Sequence, residues 1–156
     1  MPARHTSIVD LHLILRRDHQ ILLGERMNTG FADGSYALPA GHLEAGEAAT
    51  QGMAREAREE TAILIEPSDL TLVHVMHHHT NSGRVALFFE ATDWIGEVVN
   101  CEPAKCAGWT WHSLDTLPER IVPYIAEALR CIRTHTLYSE GGWNELQRSN
   151  HRFRTT

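Results

Sequence analysis

The stretch from Glu47 to Thr61 most constrains how this chain folds. It has no proline, one glycine and many alanines and glutamates, a composition that predicts a helix of about four turns. On that helix Glu56 and Glu60 lie four residues apart on one face, with Glu59 three residues from Glu56. Three carboxylates therefore share one patch. Like charges so placed weaken a helix by roughly a few tenths of a kcal/mol per pair unless a cation sits among them. A bound divalent cation removes that penalty. Oxygen-only ligands favour Mg²⁺, which commonly keeps several waters and joins a few carboxylates to substrate phosphates. The competing interpretation is a solvated acidic face, the usual role of a charge run.

Around this helix the pattern is that of one domain. A chain of 156 residues can bury a sizeable single core, and no repeat or Pro/Gly/Ser linker divides it. Val9, Leu11, Leu13 and Leu15 alternate with period two, and Arg16 to Gln20 then form a turn before Ile21-Leu22-Leu23, so strand, turn, strand is expected. Residues 28–34 are loop-like and lead into a short strand at Tyr36 to Leu38, stopped by Pro39. Leu70 to His77 and Val85 to Ala91 flank Thr80-Asn81-Ser82-Gly83, a hairpin signal. A further strand includes Trp109 to Trp111. Ile125, Ala128, Leu129 and Ile132 then form the apolar stripe of a second helix, with Pro123 in its first turn.

The segment Gly41-His-Leu-Glu-Ala-Gly-Glu47, continuing to Arg55-Glu56-Ala-Arg58-Glu59-Glu60-Thr-Ala62-Ile63, resembles the signature of the Nudix hydrolases, Gly-x5-Glu-x7-Arg-Glu-apolar-x-Glu-Glu-x-Gly-apolar. Gly41, Glu47, Arg55, Glu56, Glu59, Glu60 and Ile63 match at the expected spacings, and Leu38-Pro39-Ala40 leads into the box as is usual in the family. Ala62 stands where the family has glycine. If that position needs a positive φ, alanine costs roughly 1 kcal/mol or more, and it is loop geometry that the change affects. The resemblance implies an α/β (α+β) Nudix fold, a three-layer α/β/α sandwich with a mixed β-sheet. The domain expected is residues 1–137, followed by a mobile or loosely docked C-terminal tail, 138–156.

The same resemblance implies the roles. Glu60 is a principal metal ligand, Glu56 and Glu59 share metal binding and water activation, and the Gly41 carbonyl completes the metal shell. Glu47 and Arg55 pair with each other to support the site. The implied reaction is Mg²⁺-dependent hydrolysis, with Mn²⁺ as a substitute, of a phosphoanhydride bond in a nucleoside diphosphate linked to another moiety, such as a nucleoside triphosphate, a damaged nucleotide, ADP-ribose or a nucleotide sugar. Either Glu56 or Glu59 can act as base, and Glu102 is the candidate for a further acid from outside the box. Two alternatives accompany this reading: a non-catalytic nucleotide-sensing domain, and a relative of the isopentenyl-diphosphate isomerases that share the fold.

Outside the box the residues are less specific. Arg26 either contacts a phosphate or lies on the surface. Phe31, Tyr36 and Trp109 either stack on a base or fill the core. His77-His78-His79 cannot converge on one metal from a strand, because neighbours point to opposite faces. The single lysine, Lys105, carries no functional weight. The formal charge of −6 argues against a broad nucleic-acid-binding face. Residues 130–156 carry a net of +3, and the arginines from Arg148 to Arg154 are expected to be a solvated terminus. Three cysteines without framework spacing and no apolar run of membrane length point to a cytoplasmic protein. Many members of the family being dimers, a homodimer is compatible with the resemblance.

Overall fold

The computed structural model describes residues 1–144. Its strands are β1 (Ile8–Arg17), β2 (Gln20–Arg26), β3 (Tyr36–Ala37), β4 (Ala40–His42), β5 (Thr71–His79), β6 (Gly83–Ala91), β7 (Cys106–Ser113) and β8 (Tyr138–Gly141), with helices α1 (Ala49–Thr61) and α2 (Pro123–Arg133). They build one mixed sheet in the order β3-β2-β1-β6-β5-β8, with β4 also on β1 and β7 on β2. The pairing β1·β6 is parallel from Ile8↔Arg84 to Leu15↔Ala91, β5·β6 is the expected antiparallel hairpin, and β8 runs parallel to β5.

The period of two in β1 decides where the core sits. Leu11, Leu13 and Leu15 pack with Met53 and Ala57 of α1, Ile63, Phe89 and Ala91. Ile14 packs on the other face with Met76, Ala86 and Phe88 under Ile125, Ala128 and Leu129 of α2. Each helix thus covers one face of the sheet, as the α/β/α expectation requires. All of these side chains are buried. At roughly 1.5–3 kcal/mol for each fully buried large apolar side chain, the two clusters supply most of the drive to fold.

Helix α1 starts two residues later than propensity indicated, because Ala48 is held in extended geometry and its N–H donates to the Gln51 side chain at 2.9 Å. It ends at Ala62, whose φ of 62° and ψ of 2° are left-handed, with its N–H donating to the Arg58 carbonyl at 3.0 Å. This is the cap that glycine makes most easily. Ala62 therefore bears a backbone cost of roughly 1 kcal/mol. Beyond residue 137, Tyr138–Gly141 pairs with Val75–His78 as a strand, and the Trp143 indole donates to the His77 carbonyl at 2.8 Å. Four residues are too few to display a period, so this docking had no sequence signal. Arg148, Arg152 and Arg154 lie outside the described residues.

Candidate active site

Helix α1 and the loop before it are locked together by Arg55. Its Nε and Nη2 donate to the two oxygens of Glu47 at 3.0 and 2.7 Å, and Nη2 also donates to the His42 carbonyl at 3.0 Å. Glu47 accepts the Glu44 N–H at 2.8 Å, and the Arg55 hydrogen bonds pull its carboxyl down to about 2. The third nitrogen, Nη1, donates to Glu56 at 2.7 Å and to Glu59 at 3.2 Å. The cation that three neighbouring carboxylates require is thus partly supplied by the protein itself.

The glutamates then diverge. Glu59 is more than half exposed. Glu56 lies against the loop backbone, where a Cβ on Gly41 would fall 1.9 Å from its carboxyl carbon, so only glycine admits it. Burial pushes the Glu56 carboxyl upward, with the charges of Glu59 and Glu102 adding to the effect and Arg55 opposing it. One turn further on, Glu60 accepts the Ala40 N–H at 2.9 Å. Burial, reinforced by Glu102 and Glu56, pushes the Glu60 carboxyl up to about 8. Such a group holds a proton at neutral pH unless another cation replaces it.

Glu60 opens into a cleft of about 450 Å³ together with Glu102, Lys105, Trp109, Gly24 and Arg26. The turn carrying Glu102 is braced by Asn100, which accepts the Glu102 N–H at 3.2 Å and donates to the Cys106 carbonyl at 2.7 Å. Lys105 reaches to 3.6 Å from the Glu102 carboxylate, so the lysine discounted in the sequence stands in the cleft. Trp109 donates to the Glu60 carbonyl at 3.3 Å. Its ring lies so close to Gly24 that a Cβ there would approach it to 2.7 Å.

Arg26 borders this cleft and a second cavity. It donates to the Phe31 carbonyl at 2.8 Å and to the Thr29 hydroxyl at 3.0 Å, and its guanidinium lies 5.5 Å from the Phe31 ring centre. Phe31 is exposed and lines the second cavity. Tyr36 lines neither. Its ring meets His112 edge-on at 5.1 Å and packs against the α2-side core, because β3 is bound on its far side by the Tyr36↔Ile121 bridge. Among the triple histidines, His78 is buried while His77 and His79 meet the Trp143 ring on the opposite face, the first tilted and the second edge-on, the alternation that strand geometry requires.

The donor set suits a hard divalent cation. Glu56, Glu60 and Glu102 offer only oxygens, and two of them are held in an environment that disfavours unneutralised charge. Among the described residues no group of three or more His, Cys, Asp or Glu side chains is gathered closely enough to hold a metal ion, so an ion bound here would need water and substrate oxygens in its shell. An open rim of carboxylates is what Mg²⁺ uses when it keeps waters and completes its shell with substrate phosphate.

The profile of the NUDIX domain matches residues 5–130. The chain belongs to the Nudix hydrolase family. A MutT-like protein from Streptomyces ambofaciens is 32% identical over 125 residues, covering 80% of this chain and 75% of that protein. An ADP-ribose pyrophosphatase of Methanocaldococcus jannaschii is 34% identical over 107 residues, covering 68% of this chain and 62% of that protein. The crystal structure of a MutT NUDIX hydrolase from Burkholderia pseudomallei superposes with a TM-score of 0.74 at 28% identity, over 81% of this chain and 98% of that one. The mixed sheet between two helices is therefore the Nudix fold, and no helix among the described residues is long and apolar enough to cross a membrane.

Proposed function

We propose that this Nudix hydrolase cleaves the phosphoanhydride bond of a nucleoside diphosphate linked to a second moiety, with Mg²⁺ as its cofactor. The observation that carries the reading is Glu60: its carboxyl, pushed up to about 8 beside Glu56 and Glu102, faces an open cleft that Arg26 and Trp109 also line. Glu60, Glu56 and Glu102 would hold the metal, with the Gly41 carbonyl beside them. When bound, Mg²⁺ supplies charge neutralisation at the phosphate oxygens and lowers the pKa of water. Arg26, which lines both cavities, would hold a phosphate oxygen, for which its planar guanidinium is suited. Trp109 offers a flat face along the cleft. Glu56, nearer the loop than the exposed Glu59, takes the proton of the attacking water, and Arg55 keeps its carboxylate oriented.

The free cysteines Cys101, Cys106 and Cys131 support a reducing, cytoplasmic setting. The name of the Methanocaldococcus jannaschii relative, an ADP-ribose pyrophosphatase, supports keeping ADP-ribose among the substrates to test. The test is incubation with Mg²⁺ and nucleoside triphosphates, damaged nucleotides, nucleotide sugars and ADP-ribose, with products identified by phosphorus NMR. Pyrophosphate or a pair of phosphomonoesters is expected. Inertness towards all of them, with ligand binding intact, would favour a sensing domain and sink the enzyme reading.

A further inference from the structure

The sheet face beneath α2 carries polar side chains that the Nudix signature does not include. Asp10 and His12 alternate with the leucines of β1 and so point to the α2 side. Strand register then sets His42 opposite Asp10 across β4 and Arg84 opposite His78 across the β5·β6 hairpin. The two Asp10 oxygens accept from Arg84 Nε and Nη2, each at 2.7 Å, and Arg84 Nη2 also lies 3.0 Å from His42 Nε2. Tyr124 of α2 stacks on His78 at 4.6 Å, with its hydroxyl 3.3 Å from His12 Nε2.

Over this row lies the second cavity, of about 320 Å³, which meets the carboxylate cleft at Arg26, Ala40 and His42. Its floor is not satisfied within the protein. His12 Nδ1 is buried without a hydrogen-bond partner among the described residues, a state that native interiors rarely leave unfilled, and His78 Nε2, also buried, has only the Asp10 carboxylate at 3.6 Å, beyond hydrogen-bond length. Arg84 is held by its bidentate pairing, yet its Nη1 has no hydrogen-bond partner among the described residues. The cavity holds two guanidiniums, Arg26 and Arg84, against the one carboxylate of Asp10. Burial pushes the His12 imidazole down to about 4, so it adds no charge near neutrality. The surplus is of positive charge, and the N–H groups of Arg84 Nη1 are free to donate.

We propose that this cavity is an anion subsite in which Arg84, positioned by Asp10, receives an anionic oxygen group, a phosphomonoester or a carboxylate, carried by the substrate moiety beyond the scissile diphosphate. The assignment to a substrate moiety rests on the hydrolase reading above, whereas the anion site itself does not. A planar fork pinned on one side by a carboxylate presents its remaining N–H groups in fixed directions, which favours oxyanions over neutral groups. The continuity of the two cavities at Arg26 lets one ligand span both.

Two measurements separate the site from the hydrolase reading. In metal-free protein, methyl phosphate and acetate are titrated while amide and arginine side-chain NMR shifts are followed. Saturable shifts at Arg84 are expected with at least one of them, and the stronger binder identifies the anion as phosphomonoester or carboxylate. Arg84→Gln should weaken that binding about tenfold or more. Should that variant fail to fold because Asp10 is left buried and unpaired, Asp10→Asn/Arg84→Gln replaces the ion pair with neutral amides and serves the same comparison. With Mg²⁺ present, kcat/KM is compared between UDP-glucuronic acid and UDP-glucose, and between ADP-ribose 2′-phosphate and ADP-ribose. Preference for the more anionic member of a pair is expected, with a fall of about tenfold in that preference on removing Arg84. Anion binding without turnover of any pair would keep the subsite and reject the hydrolase reading. Absence of anion binding in the wild type, or binding unchanged in the Arg84 variants, would overturn the subsite.

Discussion

Replacing Glu60 with glutamine should stabilise the metal-free protein while removing its activity. In the folded protein the Glu60 carboxyl rises from its ordinary 4.5 to about 8, chiefly through burial. A group whose folded pKa is raised contributes its full stability below the unfolded value and loses it as pH climbs through the folded value. The window here is therefore pH 4.5 to 8. At about 1.36 kcal/mol per pH unit the loss has a ceiling near 5 kcal/mol. Relaxation of an open cleft reduces this, and about 2 kcal/mol is expected at pH 8.5, or about 4–8 °C in Tm for a chain of this size. Glutamine cannot ionise, and its carbonyl can still accept the Ala40 N–H. Urea unfolding with a chelator present, followed by tryptophan fluorescence at pH 5 and pH 8.5, measures the difference. Wild type and Glu60→Gln should be nearly equal at pH 5, and the variant more stable at pH 8.5. Equal stability at both pH values, or a less stable variant at pH 8.5, would refute the claim that Glu60 is a buried charge waiting for a cation.

Two further substitutions probe the local geometry. Ala62→Gly should raise stability by roughly 1 kcal/mol in denaturant titrations, because the left-handed cap at φ 62° no longer opposes a Cβ; a loss of stability would contradict that assignment. Gly41→Ala should lower kcat/KM at least about tenfold, since the new methyl would occupy the space of the Glu56 carboxylate, and unchanged turnover would remove Glu56 from the reaction.

What was legible in the sequence was local in the chain. The helix, expected over residues 47–61 and observed over Ala49–Thr61, was legible from composition and spacing within one segment, whereas the Glu47–Arg55 pair and the Ala62 departure came from that segment's resemblance to the Nudix signature. The hairpin at residues 80–82 and the opposed directions of His77 and His78 followed from turn residues and strand period. Asp10, His12, His78, Arg84 and Tyr124 were missed because their meeting depends on register across several strands and on a helix more than 100 residues from β1. Polar residues at alternate positions in an otherwise apolar strand were the one available signal. Tyr36, weighed as either a stacking or a core residue, is half-buried and packs against the α2-side core, held there by a bridge to Ile121 that no local pattern announces. Lys105 carried no motif, and only the turn braced by Asn100 brings it beside Glu102.

The most direct test of the account is a titration of the protein with Mn²⁺, as a substitute for Mg²⁺, followed by electron paramagnetic resonance at pH 7.5. The wild type should bind the ion, and Glu60→Gln should bind it about tenfold or more weakly while remaining folded. Equal binding by the two proteins, or no binding by the wild type, would contradict a metal site built on the Glu60 carboxylate.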